Sequence, residues 1–158
     1  MQIADIGFCA PEDLDAICEI ERMCFPSPWE RDVLENDLRN RLGQLAYIKA
    51  SLLAIPVGYA VLGRAARAAH LMNLAVHPDA RNRGIGTQLM LAAETIAEEW
   101  GDSRMRLEVR ASDRGVRDFY ARLGFVYTAR EKGYYAGGTE DALIMVCRLP
   151  LKRFWSEG

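Results

Sequence analysis

Two stretches and two single residues of this chain carry side chains suited to chemistry. Val76-His77-Pro78-Asp79-Ala80-Arg81-Asn82-Arg83-Gly84-Ile85-Gly86-Thr87 runs from an apolar stretch into an amphipathic one. Glycines at a helix entry allow positive φ and close approach of the backbone. The free N–H groups of a first helical turn, aided by the helix dipole, attract anions. With Arg81 and Arg83 beside them, these groups would cradle a diphosphate. The segment is not a Walker loop, because no Gly-Lys-Ser/Thr follows, and it is not a G-x-G-x-x-G dinucleotide loop. A plain strand-to-helix turn would suit the same residues. The second stretch, Cys24-Phe25-Pro26-Ser27-Pro28-Trp29, joins two helical patterns. Cys24 could be a nucleophile, but no histidine in its segment would activate it.

The two single residues are Glu108, a carboxylate inside an alternating apolar run, and Tyr120, a hydroxyl on an apolar helix stripe. Each has an ordinary reading: Glu108 facing solvent and paired with Arg106 or Arg110, Tyr120 packed in the core. Metal chemistry finds little support. Cys9, Cys18, Cys24 and Cys147 form no C-x-x-C pair, and only His70 and His77 could supplement them.

The elements that must position these groups follow from periodicity. Gln2 to Cys9 reads as a strand. Pro11, with Glu12 and Asp13 behind it, opens a helix whose stripe is Leu14, Ile17, Cys18 and Met23. Pro26 and Pro28 stop it, and Pro28 opens a second helix through Trp29, Val33, Leu34 and Leu38 to about Leu42. Leu45–Leu53, Val57–Arg64 and Ala69–His77 read as successive strands. Within the last, Leu71 to Val76 is almost continuously apolar, which predicts burial on both faces. Ile85 to Trp100 is helical, and Gly101 ends it. Met105, Leu107 and Val109 alternate with Arg106, Glu108 and Arg110 as a strand. A short helix capped by Ser112 or Asp113 carries Val116, Phe119, Tyr120 and Leu123 and stops at Gly124. Val126–Tyr135 and Ala142–Leu149 complete the order β-α-α-β-β-β-α-β-α-β-β, an α/β mixture on a mixed sheet.

The 158 residues, half of them hydrophobic and 27% charged, fit one domain, 1–158, with a sizeable core. No repeat or linker divides the chain. A net charge of -2 argues against a general nucleic-acid binder. The start lacks a signal-peptide pattern, and no apolar run approaches the roughly 20 residues of a membrane span. A cytoplasmic protein with reduced thiols, without nucleic-acid or membrane partners, is expected.

Arg81-Asn82-Arg83-Gly84-Ile85-Gly86 resembles the R-x-x-G-x-G/A pyrophosphate motif of the GNAT superfamily of N-acetyltransferases. Cys24 to Trp29, Leu107 to Ser112, Phe119 to Phe125, Tyr134-Tyr135 and Glu140-Asp141-Ala142 resemble, in order, segments of its RimI-type members. These acetylate the N-terminal alanine of the eighteenth protein of the small ribosomal subunit. The resemblance implies a splayed mixed sheet of about seven strands flanked by about four helices, with acetyl-CoA in the opening beside the glycine turn. Its pyrophosphate would lie on Arg81, Asn82, Arg83, Gly84, Ile85, Gly86 and Thr87, and its pantetheine along Leu74, Ala75 and Val76. Glu108 would be the general base, directly or through water, and Tyr120 the general acid. Phe25, Pro26, Trp29, Tyr134 and Tyr135 would bracket the acceptor's N-terminal residue. No metal enters this chemistry.

One position departs from the pattern: Asp113 stands where the family usually has Asn, and an ionised aspartate cannot donate a hydrogen bond to the cofactor. Between Glu12 and Asp37, nine acidic residues face only Arg22 and Arg31, a solvated face or an attraction for a basic peptide. Transfer to a broader range of N-termini, to a lysine, a polyamine or a small antibiotic, a non-catalytic acyl-CoA-binding module, and a subunit active only with a partner are the competing expectations. The enzyme reading also requires that Glu108 not lie on the far side of the sheet from the glycine turn.

Overall fold

The computed structural model describes residues 1–40, 44–65 and 67–153. Its strands and helices are β1 (Asp5–Phe8), α1 (Leu14–Cys24), α2 (Arg31–Arg39), β2 (Ala46–Leu52), β3 (Ile55–Ala65), β4 (Ala68–Val76), α3 (Ile85–Glu99), β5 (Arg104–Arg110), α4 (Arg114–Arg122), β6 (Val126–Tyr135) and β7 (Glu140–Arg148). The element order is the one that periodicity predicts, with short 3-10 turns at Pro11–Asp13, Pro78–Ala80 and Ala136–Gly138.

The seven strands form one mixed sheet in the order β1-β2-β3-β4-β5-β7-β6. Its two faces bury different residues, because alternate side chains of a strand point to opposite sides. Ala60 and Leu62 of β3 join Met105, Leu107 and Val109 of β5 in a core with Ile85, Leu89 and Ala93 of α3 and Tyr120 of α4. Tyr59 and Val61 face the other way, into a second core with Ile17 and Ile20 of α1 and Leu34 and Leu38 of α2. Helices thus cover both faces.

β4 and β5 are parallel neighbours, but only Ala69–Met105, His70–Arg106 and Leu71–Leu107 pair. Beyond Leu71 the strands part, while β4 stays paired to β3 as far as Val76 and β5 to β7 as far as Arg110. The sheet is therefore open between them, and β4 has a free edge from Met72 to Val76. The register of β4 against β3 also slips between Val61 and Leu62, which leaves Met72 as a bulge. Asn73 then points toward α1, and Leu74 and Val76 pack toward α3.

These two features correct the expectation that Leu71–Val76 is buried on both faces. Met72 is 44% exposed, and Asn73, Leu74 and Val76 are only partly buried. A run of apolar residues cannot reveal that its neighbouring strand diverges. A second correction concerns α2, which begins at Arg31 with Glu30 as its N-cap rather than at Pro28. The N–H of Trp29 is taken instead by the Glu21 carboxylate at 2.9 Å, which holds Pro28 and Trp29 outside the helix. The expected end of this helix at Leu42 lies outside the described residues.

Candidate active site

Strand alternation places Glu108 on the face opposite Leu107 and Val109, so its side chain points away from the body of α3. It is 8% exposed. Oε1 accepts from Arg106 Nη2 at 2.9 Å, and Oε2 lies 2.7 Å from His70 Nε2. An ionised carboxylate only accepts, so Nε2 carries the proton of that bond. His70 and Arg106 are themselves register partners, one step before the strands part. Burial pushes the Glu108 carboxyl up. The hydrogen bonds from His70 and Arg106, and their charges, outweigh it and hold the group below the usual carboxylate range. Glu108 is thus ionised at neutral pH.

The pairing with Arg106 is the ordinary reading realised in part, but the solvent-facing half of that reading fails. His70 is the residue that the sequence concealed: it lies 38 positions from Glu108, and only β4–β5 pairing brings the two together. The condition on Glu108 also needs correction. Its side chain does sit on the face opposite the α3 body, yet the sheet has no hydrogen-bonded wall there. From Met72 and Glu108 onward no β4–β5 pairing separates the two faces.

Tyr120 approaches from the α3 side. It is buried, with its ring edge-on to Phe119 at 5.1 Å and to Phe125 at 5.5 Å between centroids. Burial raises its pKa, helped by Tyr135 and by the charge of Asp113, so it keeps its proton across the physiological range. Tyr135 is pushed up to about 12, first by burial and then by Tyr134 and Glu108. Its hydroxyl thus feels the Glu108 charge, and it in turn raises Tyr120. The Arg110 guanidinium stacks over the Tyr135 ring at 4.5 Å, and Tyr134, half-exposed, meets that ring edge-on at 4.8 Å. Glu140 braces this end of the site by pairing with Arg110 and accepting from Ser112.

The glycine turn has a defined geometry. Gly84 is the N-cap of α3 at φ +80, and Asn82 is also left-handed at φ +62. The side chains of Ile85 and Thr87 are buried, so toward an anion they can offer only backbone N–H groups. Gly86 serves packing as well, since a Cβ there would meet the Phe119 ring of α4 at 3.4 Å. At Gly84 a Cβ would strike the Met1 side chain at 2.6 Å. Both arginines already have protein partners: Arg81 donates to the Val76 carbonyl at 3.0 Å and reaches Cys24 Sγ at 3.4 Å, while Arg83 donates to Gln2 Oε1 at 3.3 Å. Cys24 Sγ donates to the same Val76 carbonyl at 3.3 Å. That carbonyl is engaged, and the bond from the His77 N–H to the Val57 carbonyl sets His77 and Ala75 toward β3, which leaves the backbone of Leu74 and the N–H of Val76 as the freer groups on the β4 edge. Asp113 caps α4 by accepting from the Val116 N–H at 3.1 Å, so the cap role is the one the structure displays.

Phe25 and Trp29 pack on the α1 side of the sheet with Cys24, and Pro26 is exposed. Nearby lies a buried group that sequence reasoning passed over: Glu21, Tyr59 and Asn73 share hydrogen bonds between α1, β3 and β4. Glu21 is merely another acidic residue in a helix, and no spacing signals its burial. The remaining acidic residues of the α1–α2 region divide. Asp13, Asp15 and Glu35 are ion-paired to Lys49, Arg31 and Arg39, and Asp37 accepts from Tyr47. Glu12, Glu19, Glu30 and Asp32 make no ion pair among the described residues.

A parted β4–β5 pair, a glycine-capped helix at its mouth and an ionised carboxylate on its rim define the site. The model of the acetyltransferase (GNAT) family matches residues 14–125, and the chain belongs to that family. Among its relatives is the ribosomal protein bS18-alanine N-acetyltransferase of Salmonella typhimurium, 32% identical over 143 residues, 89% of this chain and 94% of that protein. The crystal structure of the ribosomal-protein-S18-alanine N-acetyltransferase from Escherichia coli superposes with a TM-score of 0.82 at 26% identity, covering 95% of this chain and 96% of that one. The PaiA N-acetyltransferase of Thermoplasma acidophilum, solved in complex with coenzyme A, shares the fold at a TM-score of 0.71 and 20% identity, over 94% and 100% of the two chains.

Proposed function

We propose that this protein transfers an acetyl group from acetyl-CoA to the α-amino group of a protein N-terminus, the N-terminal alanine of ribosomal protein bS18 being the acceptor. The observation that carries the reading is Glu108: an ionised carboxylate, aimed by His70 and Arg106, at the step where β4 and β5 separate. The acceptor follows from the relatives named for it.

The residues present suit the cosubstrate. The N–H groups of Ile85, Gly86 and Thr87 stand at a helix start, where a pyrophosphate is favoured by dipole and donors together. The free edge of β4 offers the backbone of Leu74 and the N–H of Val76 to an extended pantetheine chain, as an added strand would pair. Acetyl-CoA supplies an activated acyl group with a thiolate leaving group. An acceptor ammonium has no lone pair, so a proton must leave it first. Glu108 takes that proton, directly or through water, with His70 and Arg106 holding its oxygens in place. Its low pKa makes it a weak base toward the free ammonium, so it acts most effectively on the N–H that turns acidic as the nitrogen bonds to the acyl carbon. Tyr120 keeps its proton until the opposite side of the opening needs one, and can hand it to the departing sulfur. Phe25, Pro26, Trp29, Tyr134 and Tyr135 wall the approach of the acceptor.

The test is acetyl-CoA turnover, read by free-thiol release, with peptides that carry the bS18 N-terminus. A free N-terminal alanine should be acetylated, and the same peptide blocked at its N-terminus but containing lysine should not. Equal turnover of both would replace the α-amine by a side-chain amine. No thiol release with any amine would favour the binding module.

A further inference from the structure

The mechanism above makes no use of Glu21, and its burial asks for a cause. It sits on α1 at 1% exposure. Taking a carboxylate out of water costs several kcal/mol unless donors replace its hydration. Here the donors are all neutral. The Tyr59 hydroxyl donates to Oε1 at 2.6 Å, the Asn73 amide donates to the same oxygen, and the Trp29 backbone N–H donates to Oε2 at 2.9 Å. Asn73 also donates to the Tyr59 hydroxyl at 2.9 Å. Among the described residues no cation pairs with Glu21. Apolar residues of the same volume would fill this space without the cost of a buried charge. What they could not do is fix three partners in direction.

Those partners come from three places that the reaction needs in register. Trp29 ends the turn that walls the acceptor. Asn73 follows the β4 bulge and precedes Leu74 on the free edge. Tyr59 is the β3 register partner of Ala75. The geometry points to Glu21 as a positioning residue that clamps the acceptor wall, Phe25 to Trp29, to the cofactor edge of β4. It touches no substrate; it sets how far the acceptor's amine lies from the Leu74 edge of β4. This inference rests on the proposed function for its consequence, and on the hydrogen bonds alone for the clamp.

Glu21→Gln keeps the shape but leaves one accepting oxygen in place of two, so the present bonds from Trp29, Tyr59 and Asn73 cannot all persist. The peptide KM should rise about tenfold, the scale of one lost hydrogen bond to a charged group. In the same variant kcat should fall less than about threefold, acetyl-CoA Kd by calorimetry should stay within about twofold, and amide exchange at Trp29 should quicken about tenfold. Core amides of α3 should keep their protection. Tyr59→Phe, which removes one donor only, should shift KM and Trp29 exchange the same way by less, and it decides the matter if Glu21→Gln does not fold. Unchanged Trp29 exchange overturns the clamp, whatever the peptide assay gives. Quickened exchange with peptide KM and acetyl-CoA Kd worsening equally overturns the acceptor-specific role. A wild-type enzyme that acetylates no free N-terminus would instead defeat the proposed function and leave the exchange result to judge the clamp.

Discussion

At the scale of single residues, Glu108 makes the sharpest demands. Glu108→Gln keeps the size and removes the base, so kcat should fall by about 10²- to 10⁴-fold. Acetyl-CoA affinity, measured by calorimetry, should barely change; equal losses in both would remove the base assignment. The pH dependence follows from the direction of the shift. A carboxyl held below its ordinary value stays ionised throughout the neutral range, so it cannot set the acid limb of kcat/KM there. That limb should follow the acceptor's own amine, near pH 7.7, and should keep its position in Glu108→Gln while the plateau drops. For stability the sign is the same as for any depressed carboxylate. The contribution of Glu108 is fully present above its unfolded pKa and is lost as pH falls through the folded one. Urea titrations between pH 5 and pH 3 should show a shallower loss in Glu108→Gln than in the wild type.

Among the elements, the starts of α3 and α4 carry separable predictions. Gly84 holds a left-handed φ of +80, a conformation that costs an L side chain about 1–2 kcal/mol. Gly84→Val adds a collision with Met1, so thermal unfolding should come earlier and acetyl-CoA should bind more weakly as the α3 start shifts. Unchanged affinity would place the cradle elsewhere. At α4, Asp113→Ala should cost about 1 kcal/mol through loss of the cap. Asp113→Asn keeps an oxygen for the Val116 N–H and adds a donor. If this position touches the cofactor, Asn should tighten acetyl-CoA binding and leave stability nearly unaltered, a split that calorimetry and thermal melts together would reveal.

Across the whole molecule, the opening between β4 and β5 is a place where the native state gives up strand pairing. A ligand that supplies pairing to the β4 edge should therefore stabilise the fold. With acetyl-CoA at a hundred times its Kd, linkage gives about 2.7 kcal/mol. For a chain of this size that is roughly 5 to 10 °C in Tm. Coenzyme A should give a similar rise and pantetheine alone a smaller one; no rise with either would argue against a site on this edge. Glu12, Glu19, Glu30 and Asp32, in no ion pair among the described residues, leave the α1–α2 side negative, so association of a basic peptide should slow as salt rises.

The secondary structure was legible because it depends on neighbours in the chain. The 3.6-residue stripe of α3, the alternation of β5 and the glycine stops at Gly101 and Gly124 are all local, and they set the element order. The glycine turn was legible for the same reason: Gly84, Gly86 and the helix they open lie within a few residues. What the chain could not disclose is everything that depends on which strands meet and where they part. Leu71 to Val76 looks doubly buried until β5 diverges and Met72 bulges out. His70 looks incidental until β4–β5 pairing sets it against Glu108, and Glu21 looks like surface until α1 lies down over Tyr59 and Asn73. Arg81 reads as a phosphate ligand, yet folding turns it back on the Val76 carbonyl. Local periodicity thus determined the elements, and only their packing decided which charges were buried and what held them.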